Sequence, residues 1–413
     1  MTEVIGPAEI LGFDPFAPSF RADPYSRYRE LDAARSLART PAGLWVTTGH
    51  ELCEQVLRDP GFGHRPAEGV VWRDAPARRR SFLTMDPPDH TRLRRLVGKA
   101  FTARLIERLR PRVEELVADL LDALPEGVPV DLLAALAYPL PVIMISELLG
   151  VPPEDRDLFK GWSDALARGL DPDFLLPADD LAKREEARTE FAGYFAELAA
   201  RRRAEPRDDL LSALVAVSDG GEVLSEADLL ATCVLLLVAG HETTVNLIGN
   251  GALALLRHPD QLARFRERPD ESAAAVEELL RYDPPVQLTL RSALEDRVVG
   301  GTPVPKGGMV LLILGAANRD PAVFRDPDRL DLTRYAGAGT GRAEAPRHLA
   351  FGHGIHFCLG APLARLEGRI ALRRLFEREV ALADVPLTYR DNLVLRGLSA
   401  LPATIGGGRP ALR

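Results

Sequence analysis

Residues 351–360 read Phe-Gly-His-Gly-Ile-His-Phe-Cys-Leu-Gly, and the interpretation of the whole chain turns on them. Glycines at 352, 354 and 360 permit a tight backbone path with positive φ and close approach to a flat ligand. Cys358 stands just ahead of a helix expected to begin near Pro362, a favourable early helical residue. Backbone N–H groups and the positive end of that helix would stabilise a thiolate at Cys358. From the loop alone, four fates of the sulfur stay open. It could be a nucleophile with His356 as its base, or a zinc ligand beside His353 and His356, although the spacing fits no common zinc site. It could equally be a haem ligand or an inert buried thiol.

Upstream, the span Ser225–Leu256 predicts one long helix. Ser225 and Asp228 form a capping box, and His258-Pro259 ends the segment. At about 1.5 Å per residue it would run roughly 48 Å. Its first half, LLATCVLLLVAG at 229–240, is apolar on every side, which buries it. His241-Glu242-Thr243-Thr244 falls in that dry interior, where an acid and two hydroxyls are costly without partners or a task. Helical spacing also marks Leu105–Leu124, Leu181–Arg203, Glu271–Arg281 and Pro362–Phe376. Strand signals are short: 44–48, 304–314 and the chain after Val380. Helices and strands do not alternate, which excludes a doubly wound sheet. The expected fold is mainly α with a small segregated β portion, one domain spanning 1–413. Residues 320–345 lack periodicity, and an irregular run of that length is functional or pinned by something bound.

Composition narrows the function classes. With 52 Lys and Arg against 60 Asp and Glu, the net charge is −8, so a nucleic-acid partner has no global electrostatic support. Mean hydropathy is −0.06 and pI about 5.6, ordinary for a globular enzyme. Three cysteines, Cys53, Cys233 and Cys358, suit a reducing compartment. MTEVIGPAEI has no basic flank of a signal peptide, and the longest uncharged apolar stretch has 12 residues. The expectation is a cytoplasmic monomer without a membrane anchor.

The decapeptide resembles the haem-binding signature of the cytochrome P450 family, Phe-Gly-x-Gly-x-His-x-Cys-x-Gly, at every specified position. The resemblance implies haem b under a long central helix, with Cys358 as its axial thiolate and Phe351, Gly352 and Gly360 framing the sulfur. Further stretches match in the family's order, including FTAR at 101–104, NRDP at 318–321 and LRGLSALPATI at 395–405. Glu278 and Arg281 match its Glu-x-x-Arg pair, joined in the family by an arginine at the place of Arg334. By spacing alone such a pair would be a solvated surface contact. His90, Arg94, Arg291 and His356 match contacts to the haem carboxylates, which ask for charge-assisted donors. Ala239-Gly240-His241-Glu242-Thr243-Thr244 matches the oxygen-binding motif. There Gly240 leaves room for dioxygen, Thr243 turns its hydroxyl to the carbonyl four residues back, and Glu242 relays protons. Thr244, His241 and Cys233 read as structural.

The implied activity is a monooxygenase acting on a lipophilic small molecule such as a polyketide, terpenoid or steroid. The alternatives are a peroxide-driven fatty-acid peroxygenase and a non-catalytic haem-thiolate sensor. Members of the former type place Arg-Pro where this chain has Glu242-Thr243, and a sensor needs no proton relay. The pocket would draw on 61–83, 168–180, Leu236–Thr243, Pro285–Leu290 and Ser399–Leu401, with Trp72 and Arg78, Arg79 and Arg80 placed to meet a polar group. Residues 90–112 hold eight Lys or Arg and one acid, Glu107. With Arg365, Arg369, Arg373 and Arg374 they predict a basic patch for an acidic ferredoxin.

Overall fold

The computed structural model describes residues 7–31, 36–65, 81–156, 158–219, 222–337 and 345–406. The long helix runs Glu226–Arg257, 32 residues, with Ser225 Oγ accepting from Asp228 N and His258 as its C-terminal cap. Among the helices it packs against are Pro139–Leu149, Leu158–Arg168, Ala178–Ala204, Ser272–Tyr282 and Ala361–Leu375. Leu237, Val245, Ile248 and Leu255, all nearly inaccessible, anchor the principal core at these contacts. By length and mean hydropathy (1.4 over its most apolar 18 residues) this helix could cross a membrane. Its helical sheath accounts for that apolarity instead.

The β portion is segregated, as expected. Trp45–Thr47 pairs in parallel with Met309–Leu312, which pairs antiparallel with Thr289–Ala293, and Phe62–Gly63 adds to that strand's other edge. Ala38–Arg39 completes the sheet. The expected strand at 304–314 is broken: Thr302–Val304 ends one hairpin arm, and the chain turns before Met309. Lys306 has its N–H on Asp296, and positive φ at Gly307 supplies the turn. Glu379–Leu382 and Pro402–Gly406 form a second antiparallel sheet with Pro129–Asp131.

The irregular segment is pinned, over the residues described, by the pair expected on its family position. Glu278 and Arg281 are both fully inaccessible, so the surface reading from spacing alone is overturned. Glu278 accepts from Arg281 Nε at 2.7 Å and Nη2 at 2.8 Å, from Arg334 Nε at 3.0 Å and from Asp331 N at 2.9 Å. Arg281 also donates to the carbonyls of Asn318, Pro327 and Arg329. Two guanidinium forks thus substitute for regular secondary structure.

Candidate active site

The cysteine loop is built by short-range bonds and braced from outside. Gly352 N donates to Leu349 O at 2.9 Å and Cys358 N to Phe351 O at 3.0 Å. Helix Ala361–Leu375 starts directly after Gly360, with Pro362 in its first turn. Glu277, the neighbour of Glu278, accepts from Arg365 Nε and Nη2 at 2.6 and 2.7 Å and lies 3.1 Å from His348 Nε2. Burial raises the Glu277 carboxyl, but hydrogen bonds from Arg365 and His348 overcome it and bring it down to about 2. Arg365 then sits 4.5 Å over the Phe351 ring, and Arg347 sits 4.4 Å over Phe357.

Burial pushes the Cys358 thiol up, against the N–H groups of Gly360 and Ala361 and the charges of Arg94 and Arg365. Coordination to a metal would select the ionised form.

Next to the loop lies a cluster of histidines and arginines, with buried histidine nitrogens that have no acceptor among the described residues. His90 is 2% exposed and neither ring nitrogen has a partner. His356 Nε2 is likewise unpartnered, its ring 4.2 Å from that of His90. Burial, with the charges of His64, Arg291 and His90, pushes His356 down to about 2. Arg291 is buried and donates to Thr289 Oγ1 and Leu290 O, both at 2.9 Å. Among the described residues it pairs with no carboxylate, and burial pushes it down to about 10. Arg94 donates to the Phe357 carbonyl and sits 5.8 Å from the Phe82 ring. Buried donors without acceptors are costly, and clustered cations doubly so. A bound dianion resolves both problems, and the two carboxylates of haem are such a group. The four residues singled out on sequence are brought together, and a fifth residue, His64, joins them unforeseen through its Nε2.

On the central helix, Thr243 Oγ1 donates to Ala239 O at 2.8 Å and Thr244 Oγ1 to Gly240 O at 3.0 Å. Ala239 is exposed and Gly240 and Thr243 half-buried, while 236–238, 241–242 and 244–255 are buried, so the helix opens on that side. A Cβ at Gly240 would instead touch Ile145, at 3.5 Å. Glu242 is 2% exposed, its Oε2 accepting from Arg390 Nη1 at 2.9 Å and its Oε1 lying 3.1 Å from His241 Nε2. Burial raises this carboxyl, but His241 and Arg390 hold it below the usual range. Asp164, an exposed residue whose carboxyl is partly desolvated, faces it, and that desolvation together with the Glu242 charge pushes Asp164 up. His241, read as structural, thus contacts the acid directly. Glu367, on the helix after Cys358, was not anticipated: it is 1% exposed, burial pushes it up to about 8, and Thr244 faces it. Its signal was legible, since Leu363, Leu366 and Ile370 share its apolar face. His64 had none. The pocket candidates Trp72, Arg78, Arg79 and Arg80 lie outside the described residues.

The basic patch is thinner than its composition suggests. Arg92 pairs with Asp228, Arg110 with Glu107, Arg112 with Glu147 and Glu115, and Arg374 with Glu377.

The cytochrome P450 family model matches residues 36–271 and 272–389. The chain is 45% identical over 412 residues to vitamin D(3) 25-hydroxylase of Pseudonocardia autotrophica, covering 95% of this chain and 96% of that one. It is 45% identical over 419 residues to the cytochrome P450 monooxygenase PikC of Streptomyces venezuelae, covering 98% and 96%. The solved structure of PksS, the cytochrome P450 of the Bacillus subtilis bacillaene polyketide synthase, superposes with a TM-score of 0.84 at 39% identity, covering 96% of this chain and all of that one. By this family match and these relatives, the chain belongs to the cytochrome P450 family as a haem-thiolate monooxygenase.

Proposed function

We propose that this enzyme oxygenates a bulky lipophilic secondary metabolite of polyketide or steroid type, with Cys358 as axial thiolate and Glu242 and Thr243 delivering protons. Bound haem supplies reductive activation of dioxygen and insertion of one oxygen atom into substrate. His90, Arg94, Arg291 and His356 hold its carboxylates, and Phe351, Gly352 and Gly360 frame the sulfur. The observation that carries the relay is the pairing of an open-facing Thr243 hydroxyl with a buried Glu242 reached from the exposed Asp164. With its proton on Ala239 O, Thr243 presents its hydroxyl oxygen as an acceptor on the open side of the helix and steadies the group to be protonated there, and Glu242 feeds protons after release from Arg390.

The segments expected to line the pocket carry apolar side chains at Leu236, Leu288, Leu290 and Leu401, which suits a lipophile. The relatives named for vitamin D3 and polyketide biosynthesis support that class. Electrons come from a redox partner, for which we favour an acidic ferredoxin at the face carrying residues 90–112 and the exposed Ile355. A cytoplasmic monomer suits the three free cysteines and the burial of the central helix. The acid–alcohol pair argues against a peroxygenase and against a sensor.

Replacing Thr243 with Ala tests the relay. With a turned-over substrate, oxygen uptake should continue while hydrogen peroxide becomes the larger product. Unchanged coupling of oxygen to product would refute the assignment.

A further inference from the structure

His64 follows Phe62–Gly63, the edge strand paired to Thr289–Ala293, the strand that carries Arg291. The pairing sets Gly63 opposite Ser292, one residue from Arg291. On its other side the chain is gripped by a buried carboxylate. Asp86 Oδ1 accepts from His64 N at 2.8 Å, and Oδ2 accepts from Arg65 N at 3.0 Å and Arg65 Nε at 3.3 Å. A Cβ at residue 63 would collide with that carboxylate, so glycine there is what lets Asp86 come so close. The backbone at 63–65 is thereby fixed, and it aims His64 inward.

The ring ends edge-on to His356, centroids 4.7 Å apart, with Nε2 buried and unpartnered. Asp86 grips the backbone and Arg65 and makes no bond to the ring, whose Nε2 has no partner among the described residues. Burial, with the charges of Arg291 and His90, pushes His64 down to about 3, so the ring is neutral and keeps one N–H to donate. Were His64 a packing residue, an apolar ring would fill the space without an orphaned nitrogen among cations.

We propose that His64 is a further haem-binding residue, donating through Nε2 to a haem carboxylate in the donor cluster of His90, Arg291 and His356. The inference rests on the haem site already described and concerns an edge-strand residue that no motif marks. One hydrogen bond to a buried carboxylate corresponds to roughly ten-fold or more in haem retention.

The test is transfer of haem from the ferric holoenzyme to excess apomyoglobin, followed by absorbance. His64→Leu should lose haem about ten-fold faster than the parent. His64→Gln, which keeps an N–H donor at similar reach, should stay within about three-fold. A Leu variant within two-fold of the parent, or a Gln variant as fast as Leu, would overturn the proposal. Should the Leu variant fail to load haem, the Gln variant decides by resonance Raman spectroscopy. The propionate bending band should shift when an amide replaces imidazole, and an unmoved band would overturn the proposal. Failure of the parent to bind haem would instead overturn the family reading, a distinct result.

Discussion

Glu278→Gln removes one negative charge from the most enclosed ion pair among the described residues. The carboxylate accepts four hydrogen bonds, three from guanidinium groups, and Arg281 is fully inaccessible. The amide keeps one acceptor oxygen and turns an NH2 group toward donors, so two bonds are lost and two arginines lose their countercharge. Hydrogen bonds to charged groups contribute about 1.5–3 kcal/mol each, and breaking a buried pair costs about 3–5 kcal/mol. The two estimates meet near 4 kcal/mol, about three decades in the folded-to-unfolded ratio.

An internal control exists. Glu107 and Arg110 have the same i, i+3 spacing and a forked contact, yet their side chains are 65% and 33% exposed. Glu107→Gln should cost less than about 1 kcal/mol. Urea unfolding followed by circular dichroism reads both variants. Equal, small losses would refute the claim that burial of the Glu278 pair holds the irregular segment and, through it, the site.

Glycine 354 offers a second graded test. Its φ is +69°, and a Cβ would collide with the carbonyl of Leu57, whereas Gly352, at φ +68°, has its nearest neighbour 4.0 Å away. Gly352→Ala should cost about 1 kcal/mol of backbone strain, and Gly354→Ala clearly more, with a lower haem-to-protein ratio on purification. Equal ratios would contradict this. Reduction by a ferredoxin should slow as ionic strength rises, with a shallow slope because Arg92, Arg110, Arg112 and Arg374 are paired within the chain. A rate indifferent to salt would remove the basic patch from the account.

The residues that read correctly in sequence share a local signature. The cysteine loop is a contiguous motif, and the central helix announces itself through Ser225, its apolar run and His258-Pro259. Burial of Glu278 and Arg281 was legible through the family pattern and not through spacing, because a three-residue interval looks alike on a wet or dry face. What stayed hidden depends on chain segments far apart in sequence. Arg390 reaches Glu242 across 148 positions, and Arg94 reaches Phe357 across 263. His64 is aimed by Asp86 through backbone bonds that carry no periodicity. The basic patch was overestimated because counting charges ignores the carboxylates that fold back onto them, such as Asp228 on Arg92.

The central claim is ligation of haem iron by the sulfur of residue 358, and the carbon monoxide difference spectrum of the reduced protein tests it most directly. The parent should give a strongly red-shifted Soret band, and Cys358→Ala should lose that band while any haem it retains absorbs at shorter wavelength. A parent without the shifted band, or an alanine variant that keeps it, would contradict the account.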